Sequence, residues 1–149
     1  MAEQDRDNQF HFELVAPERR LLTQSAWQVI VPGAEGDIGV RAGHARLVSS
    51  LRPGVVTVHS GENDNVNAIQ RYFVASGFVD VSADNCTILA EDAENLQKLD
   101  ADSVQQHISN LGEDYEMSDD DQKRRRIAWQ QHVAKVRYNA VTGAIHYAV

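Results

Sequence analysis

Hydrophobic and polar positions alternate along the first 90 residues in short runs that are typical of β-strands. Residues 10–15 and 27–31 partly alternate and are rich in β-branched and aromatic side chains. Four later runs have the same character: residues 55–58, 72–75, 78–81 and 87–90. Many short strands with frequent turns predict an antiparallel β-sandwich over residues 10–92, after an N-terminal segment of residues 1–9 that we expect to be flexible.

Glycine and proline support this division, because they interrupt strands more often than they occur in long helices. All three prolines lie within the first 53 residues, and seven of the nine glycines fall between Gly33 and Gly77. The composition changes sharply near residue 92. The strand-rich part is therefore expected to end there.

After Asp92 the apolar positions follow a helical period. Four of them share one helical face: Ala101, Val104, Ile108 and Leu111. Asp100 is placed to cap the start of this helix and Gly112 to end it. The pattern predicts a first helix between these two residues.

A second helix is predicted from about residue 119 to the high 130s, because Ser118–Asp121 resembles a capping box. Its apolar stripe consists of Trp129, Val133, Val136 and Ala140. Trp129 is expected to be buried and to anchor the pair of helices. Truncation of a buried tryptophan lowers the free energy of unfolding by ~3–5 kcal/mol. The short connection predicts an antiparallel helical hairpin over residues 93–140, followed by a tail of residues 141–149. The fold class is α+β.

The net charge is −8, with 14 basic against 22 acidic residues, which argues against a nucleic acid partner. Charge is segregated in the helical half. Residues 113–121 carry six acids, and the six bases that follow begin with Lys123, Arg124, Arg125 and Arg126. One interpretation is an arrangement that suits the helix dipole. The other is a basic helix that docks on an acidic protein surface.

Motifs for catalysis, metal binding or cofactor binding do not emerge from the sequence. The spacing of the glycines matches no phosphate-binding loop, and the six histidines form no metal-ligand pattern. Asp37 and His44 are close enough in sequence to form an acid–base pair on one loop, but a loop histidine with a nearby aspartate is far more often plain surface, and no activated nucleophile accompanies them. Cys86 is the single cysteine and is predicted to be a small core side chain. No catalytic residue, metal or cofactor is predicted.

The single cysteine excludes an intramolecular disulfide and fits a reducing compartment. The first ten residues carry three acids and one arginine, unlike a secretory signal or a transit peptide. The sequence predicts a protein that is made and kept in a bacterial-type cytoplasm.

Several motifs occur together in one order: VPGAEGDIGV at residues 31–40, Gly43–Ala45, Leu51–Val55, Ser76–Val81 and Thr87–Glu91. This series resembles the epsilon subunit of bacterial F-type ATP synthases, strongly over residues 10–92 and loosely over the helical half. The family's fold is a β-sandwich followed by an α-helical hairpin. The division reached from periodicity is the same.

The resemblance implies a noncatalytic subunit of the central stalk, peripheral to the cytoplasmic face of the bacterial inner membrane. The sandwich would bind the gamma subunit and rest on the membrane ring of c subunits, so that rotation of the ring turns the shaft. Asp37 and His44 match the acid and the histidine of the family's ring-facing loop, where a contact role is implied. Arg46 adds a charge at this presumed contact.

Three positions depart from the family pattern. Ala42 and Arg46 stand where the family has proline, which should loosen the ring-facing loop. Ser103 stands where some members have an arginine linked to ATP binding, so we expect weak ATP binding or none.

In some members of the family the hairpin opens, and its second helix enters the catalytic head of alpha and beta subunits and stops ATP hydrolysis. By this resemblance, Lys123–Arg126 would meet an acidic catalytic subunit, and we expect modest inhibition. The alternative is a stand-alone β-sandwich binding module with a helical oligomerisation tail.

Overall fold

A computed structural model describes residues 8–62 and 69–143. Within them, ten strands form one compact unit and the helices that follow form a second. The strands are β1 Phe10–Ala16, β2 Arg19–Ala26, β3 Gln28–Gly33, β4 Gly36–Val40, β5 Leu47–Ser50, β6 Gly54–His59, β7 Gln70–Val74, β8 Gly77–Val81, β9 Asn85–Ala90 and β10 Ala93–Asn95. The predicted N-terminal segment lies almost wholly outside the described residues.

The strands form two sheets of five strands each. The first sheet has the order β2-β1-β9-β8-β5 and the second the order β10-β7-β6-β3-β4. Every pairing between neighbouring strands is antiparallel except that of β1 with β9, which is parallel. The predicted β-sandwich is confirmed, and its last strand extends to Asn95.

Alternation along the strands places one face of each sheet in a shared core. Phe12 and Leu14 on β1 are fully buried, and Glu13 between them faces outward, where it pairs with Arg20 of β2 over 2.9 Å. All six predicted strand runs are found as strands. The four strands that the pattern missed are β2, β4, β5 and β10, which are the edge strands of the two sheets. Edge strands bury less apolar surface, so their alternation is weaker.

The second unit begins with a 3-10 helix, Leu96–Lys98, and continues with α1, Ala101–Met117, and α2, Asp121–Thr142. The carboxylate of Asp100 accepts a hydrogen bond from the backbone N–H of Asp102, so the predicted cap is confirmed. The two helices are joined by only three residues and contact each other, as an antiparallel hairpin requires. Most of the predicted tail lies outside the described residues.

The prediction that Gly112 ends the first helix is wrong, because α1 continues to Met117. A glycine inside a helix costs only about 1 kcal/mol relative to alanine, which packing against a second helix can offset. Leu111 is buried, and the side-chain amide of Gln131 on α2 lies beside Gly112, 3.8 Å from where a Cβ atom would stand. The helices therefore remain in contact past the glycine.

The second helix also begins later than predicted, at Asp121, and ends later, at Thr142. Asp120 is its N-cap, and its carboxylate accepts a hydrogen bond from the N–H of Gln122. Ser118 closes α1 as its C-cap instead of opening α2. Ser118, the first residue of the predicted capping box, therefore belongs to the end of α1.

The prediction that Trp129 is buried is wrong, since half of its surface is exposed (50%). Ile127, Gln131 and Ala134 are buried or half-buried, and they lie on the side of α2 from which Gln131 reaches Gly112. Trp129 is two residues from Ile127, or about 200° of helical rotation, and so lies on another side of α2 from these three residues. The rest of the predicted stripe is buried or half-buried: Val133, Val136 and Ala140.

Candidate functional site

The three predicted contact residues lie along one side of the sandwich. β4 is the last strand of its sheet and β5 the last strand of the other, and residues 41–46 connect them. Asp37 is in β4, whereas His44 and Arg46 lie in the connection. We call this side, from Gly36 to Arg46, the β4 edge.

Asp37 is held by Arg52, and this contact was not predicted from the sequence. Nη2 of Arg52 lies 2.5 Å from Oδ1 of Asp37, and Nη1 donates a hydrogen bond to the carbonyl oxygen of Gly33 over 2.6 Å. The backbone N–H of Arg52 also donates to the carbonyl oxygen of Pro32 over 3.0 Å. Arg52 therefore ties the segment after β5 to both strands of the β3–β4 hairpin. Arg52 lies in the motif Leu51–Val55, but no local signal identifies its partners, because they are 15 and 19 positions away.

Asp37 and His44 do not lie on one loop, although the sequence suggested that they would. Asp37 lies in a strand, and His44 lies in the connection that follows it. Asp37 is the second residue of β4 and lies opposite Pro32 in the ladder. Val40 is three positions further along the strand, or about 10 Å at the usual rise. The chain then turns before it reaches His44. An acid–base pair is not formed, and the Asp37 carboxylate contacts Arg52.

The connection between β4 and β5 is tied down by backbone hydrogen bonds. Gly43 adopts φ +84°, which favours glycine, and its N–H donates to the carbonyl oxygen of Ala83 over 2.8 Å. The N–H of His44 donates to the carbonyl oxygen of Arg41 over 3.2 Å. Arg46 is exposed. These contacts orient the connection without the two prolines of the family pattern.

A second candidate surface covers the outer face of the first sheet. Phe78 and Leu89 are more than half exposed, and they lie opposite each other on β8 and β9. Leu89 is in turn opposite the half-buried Val15 on β1, and Val48 on β5 is also exposed. We call these four residues the outer apolar strip. An open hollow of about 330 Å³ adjoins it, and Val15, Pro17, Phe78 and Leu89 are among its lining residues.

This strip was not predicted from the sequence, although the sequence contains a signal for it. Each of two predicted strands contains a pair of adjacent apolar residues, Phe78–Val79 and Ile88–Leu89. Side chains alternate between the two faces of a strand, so one member of each pair must point away from the core. Val79 and Ile88 are fully buried. Phe78 and Leu89 are the outward members.

Gly77 brings the two strands of this strip together. Its φ is +141°, and a Cβ atom at this position would lie 1.9 Å from the carbonyl oxygen of Leu89. No side chain fits at that distance. The close approach of β8 to β9 at the edge of the strip therefore depends on glycine.

The basic run at the start of α2 is divided between two environments. Lys123, Arg125 and Arg126 are exposed, whereas Arg124 is half-buried. Nε of Arg124 donates a hydrogen bond to the carbonyl oxygen of Ser118 over 2.7 Å, and its guanidinium lies 5.8 Å from the ring centre of Tyr115. Arg124 therefore holds the turn of the hairpin, and three bases remain on the surface.

Ser103, at the position where some family members have an arginine, is part of the N-terminal cap of α1. Its hydroxyl donates to Oδ2 of Asp100 over 2.9 Å, while Oδ1 of Asp100 accepts from the N–H of Asp102. Both oxygens of the cap are thus occupied by their own helix. This local arrangement supplies no cation for a phosphate.

Reactive groups are sparse among the described residues. Cys86 is fully buried, and burial, with a smaller contribution from the charge of Asp80, raises the pKa of its thiol from 9.0 to about 12. Residues 8–62 and 69–143 contain no group of three or more His, Cys, Asp or Glu side chains suited to a metal ion. Neither described helix combines the length and the apolar character that a membrane span needs.

Comparison with known proteins gives a consistent result. Residues 9–96 match the sequence family described as ATP synthase, Delta/Epsilon chain, beta-sandwich domain. The chain is similar to the ATP synthase epsilon chain of Rhodospirillum centenum, with 40% identity over 80% of this chain and 83% of that one. It is also similar to the ATP synthase epsilon chain of a Bradyrhizobium species, with 36% identity over 92% of this chain and 98% of that one.

Two solved structures share the fold. A chain in the mitochondrial ATP synthase of Euglena gracilis, described as OSCP/F1/c-ring, matches with a TM-score of 0.70 and 21% identity, over 93% of this chain and 82% of that one. A chain in the central stalk/c-ring of the Tetrahymena thermophila mitochondrial ATP synthase matches with a TM-score of 0.62 and 15% identity, over 89% and 96%. At these identities the likeness shows the fold alone.

Proposed function

The chain belongs to the ATP synthase delta/epsilon family, as an epsilon chain, and from this membership we propose that it is a noncatalytic subunit of the central stalk. In this role it joins the membrane ring of c subunits to the gamma shaft, so that rotation of the ring turns the shaft. The proposed location is peripheral, on the cytoplasmic face of a bacterial inner membrane. We assign one of the surfaces described above to each of the two contacts that this role requires.

The outer apolar strip is the proposed contact with gamma. The exposure of its large apolar side chains is the main support for the proposal. Phe78 and Leu89 are each more than half exposed on a sheet whose other face already forms the core. Large side chains of this kind, clustered on a rigid sheet, are typical of a surface that a partner covers. A subunit that transmits torque needs such a rigid contact.

The β4 edge is the proposed contact with the membrane ring. It carries Asp37, His44 and Arg46, and its hairpin is braced by Arg52. An ion pair and charged or polar side chains suit the polar surface of a ring loop better than they suit an apolar shaft contact.

A double variant, Phe78→Ser with Leu89→Ser, tests the shaft contact in rebinding to a cognate catalytic head that contains gamma but lacks this subunit. We expect affinity to fall at least ~tenfold, because two anchors lose their apolar burial. Met117→Ser is the matched control, since Met117 is even more exposed but lies on α1. Equal affinity of the double variant and the wild-type chain would contradict the proposed contact. A stable homo-oligomer that ignores the catalytic head would favour a stand-alone binding module.

The exposed bases of α2 are the proposed inhibitory group. In the open hairpin, Lys123, Arg125 and Arg126 would face acidic positions on the alpha and beta subunits, giving modest inhibition of ATP hydrolysis. Replacing these three by glutamine leaves Arg124 and its turn contact intact. We expect the variant to bind as the wild-type chain does and to inhibit less. Unchanged inhibition would remove the electrostatic part of this proposal.

A further inference from the structure

Gly39 lies near the middle of the β4 edge, and nothing in the fold requires it to be glycine. It is exposed, and its φ is not among the positive values found at Gly36 and Gly43. A Cβ atom at Gly39 would meet only the side-chain amide of Gln28, at an ordinary contact distance of 3.6 Å.

Other glycines near this hairpin have clear structural reasons. A Cβ atom at Gly33 would lie 2.7 Å from a side-chain carbon of Ile38, and one at Gly54 would lie 2.8 Å from Cβ of Pro32. Gly39 has no such neighbour. Glycine in a strand interior weakens the strand, and it often marks a place where another backbone comes close.

Gly39 is also placed beside the proposed ring contact. Ile38 packs against the core and Val40 is fully buried, so both point inward. Gly39 therefore shares the outward face of β4 with Asp37, two residues away. Among the described strands β4 has a neighbour only on the β3 side, which leaves its other side open.

We propose that Gly39 is the point of closest approach for a main-chain segment of a polar loop of the membrane ring. The missing side chain leaves a gap next to Asp37 that an approaching backbone can fill. This inference rests on the proposed function, because it gives the ring contact a specific position and mode. It predicts that the gap serves the complex and not the isolated chain.

Gly39→Ala tests the inference in the full-length chain, rebound to cognate ATP synthase membranes that lack this subunit. We expect the melting temperature of the free chain to stay unchanged or to rise. Affinity for the ring-containing complex should fall roughly tenfold, the cost of forcing one methyl group into a packed contact. Affinity for the catalytic head with gamma but without the ring should not change. Gly112→Ala is the matched control, because it adds the same methyl group at an ordinary contact on α1.

The outcomes separate this inference from the proposed function. If Gly39→Ala binds the ring-containing complex normally while His44→Ala weakens it, the β4 edge still faces the ring and the inference about Gly39 is wrong. If neither variant weakens binding, the ring-facing assignment itself fails. A lower melting temperature of Gly39→Ala would mean that the glycine serves the fold, which also overturns the inference.

Amide hydrogen exchange provides a second test that needs no substitution. Exchange at Gly36–Val40 should slow when the ring is present, relative to the chain bound to the ring-free head. Protection that is already complete without the ring would assign the edge to another subunit and overturn the inference. Unchanged exchange in both complexes would overturn it too.

Discussion

Nη2 of Arg52 lies 2.5 Å from Oδ1 of Asp37, and the same guanidinium donates to the carbonyl oxygen of Gly33. One side chain therefore holds both strands of the β3–β4 hairpin. Asp37 is the acid of the proposed ring contact. It would therefore meet a partner as part of an ion pair with Arg52 and not as a lone carboxylate. Arg52 thus sets the position and the local charge of this contact.

Arg52→Ala should lower the free energy of unfolding by about 1–2 kcal/mol. The ion pair is about half exposed and contributes little, whereas the hydrogen bond to the buried Gly33 carbonyl contributes more. Arg52→Lys should recover only part of this loss, because an ammonium group lacks the planar fork of donors. Urea denaturation measures both variants. A double variant with Asp37→Asn should cost less than the sum of its two single variants, and strict additivity would contradict the pairing.

Gly77→Ala should be among the most damaging substitutions in the sandwich. The added Cβ would lie 1.9 Å from the carbonyl oxygen of Leu89, in a backbone conformation that side chains rarely adopt. Strain and overpacking together should cost at least ~3 kcal/mol, measured by chemical denaturation. Gly39→Ala is the contrasting control within the same unit. Equal stability of the two variants would show that the close approach at Gly77 is not needed.

Gly112→Ala should stabilise the helical hairpin. The glycine is inside α1, and an added methyl group would meet the Gln131 amide at 3.8 Å without a clash. Alanine should raise the free energy of unfolding by about 0.5–1 kcal/mol, because it loses less backbone entropy on folding. Circular dichroism during thermal unfolding records the change. A loss of stability would mean that the helices pack more tightly at this point than the structure has them.

Trp129→Ala should lower stability by less than ~1 kcal/mol, because half of the side chain already contacts solvent. Leu111→Ala, at a buried position of the same hairpin, should cost about 2–5 kcal/mol. Equilibrium denaturation of the two variants gives the comparison. If Trp129→Ala were the more damaging change, the tryptophan would after all anchor the hairpin.

Stability should fall above pH 9 through Cys86. The unfolded thiol loses its proton near the ordinary pKa of 9.0, whereas the folded thiol keeps it to about 12. Between these values the unfolded state binds fewer protons, so the free energy of unfolding falls by up to ~1.4 kcal/mol per pH unit. Urea denaturation at several pH values should show a steeper fall for the wild-type chain than for Cys86→Ala. Parallel curves would contradict a buried neutral thiol.

Local patterns were sufficient for the division of this chain and for much of its interior. Alternation along residues 10–15 predicted β1 because a strand places every second side chain in the core. Asp100 was recognisable as a cap because the bond it accepts comes from the N–H two residues along the chain. The series of motifs around Gly33 and Gly43 indicated the family to which the chain belongs. Each of these signals is complete within a few neighbouring residues.

Other features were decided by tertiary structure, because they depend on residues that are distant in sequence. Arg52 meets Asp37 and Gly33 only after β5 has crossed to the other sheet and the chain has returned. Trp129 was predicted to be buried because its spacing matches that of Val133 and Val136. The spacing of apolar residues does not show which part of a helix a neighbouring element covers. The sequence alone therefore determined the sandwich, the helices and the family. Only the packing of distant segments decided which side chains brace the β4 edge and which remain exposed.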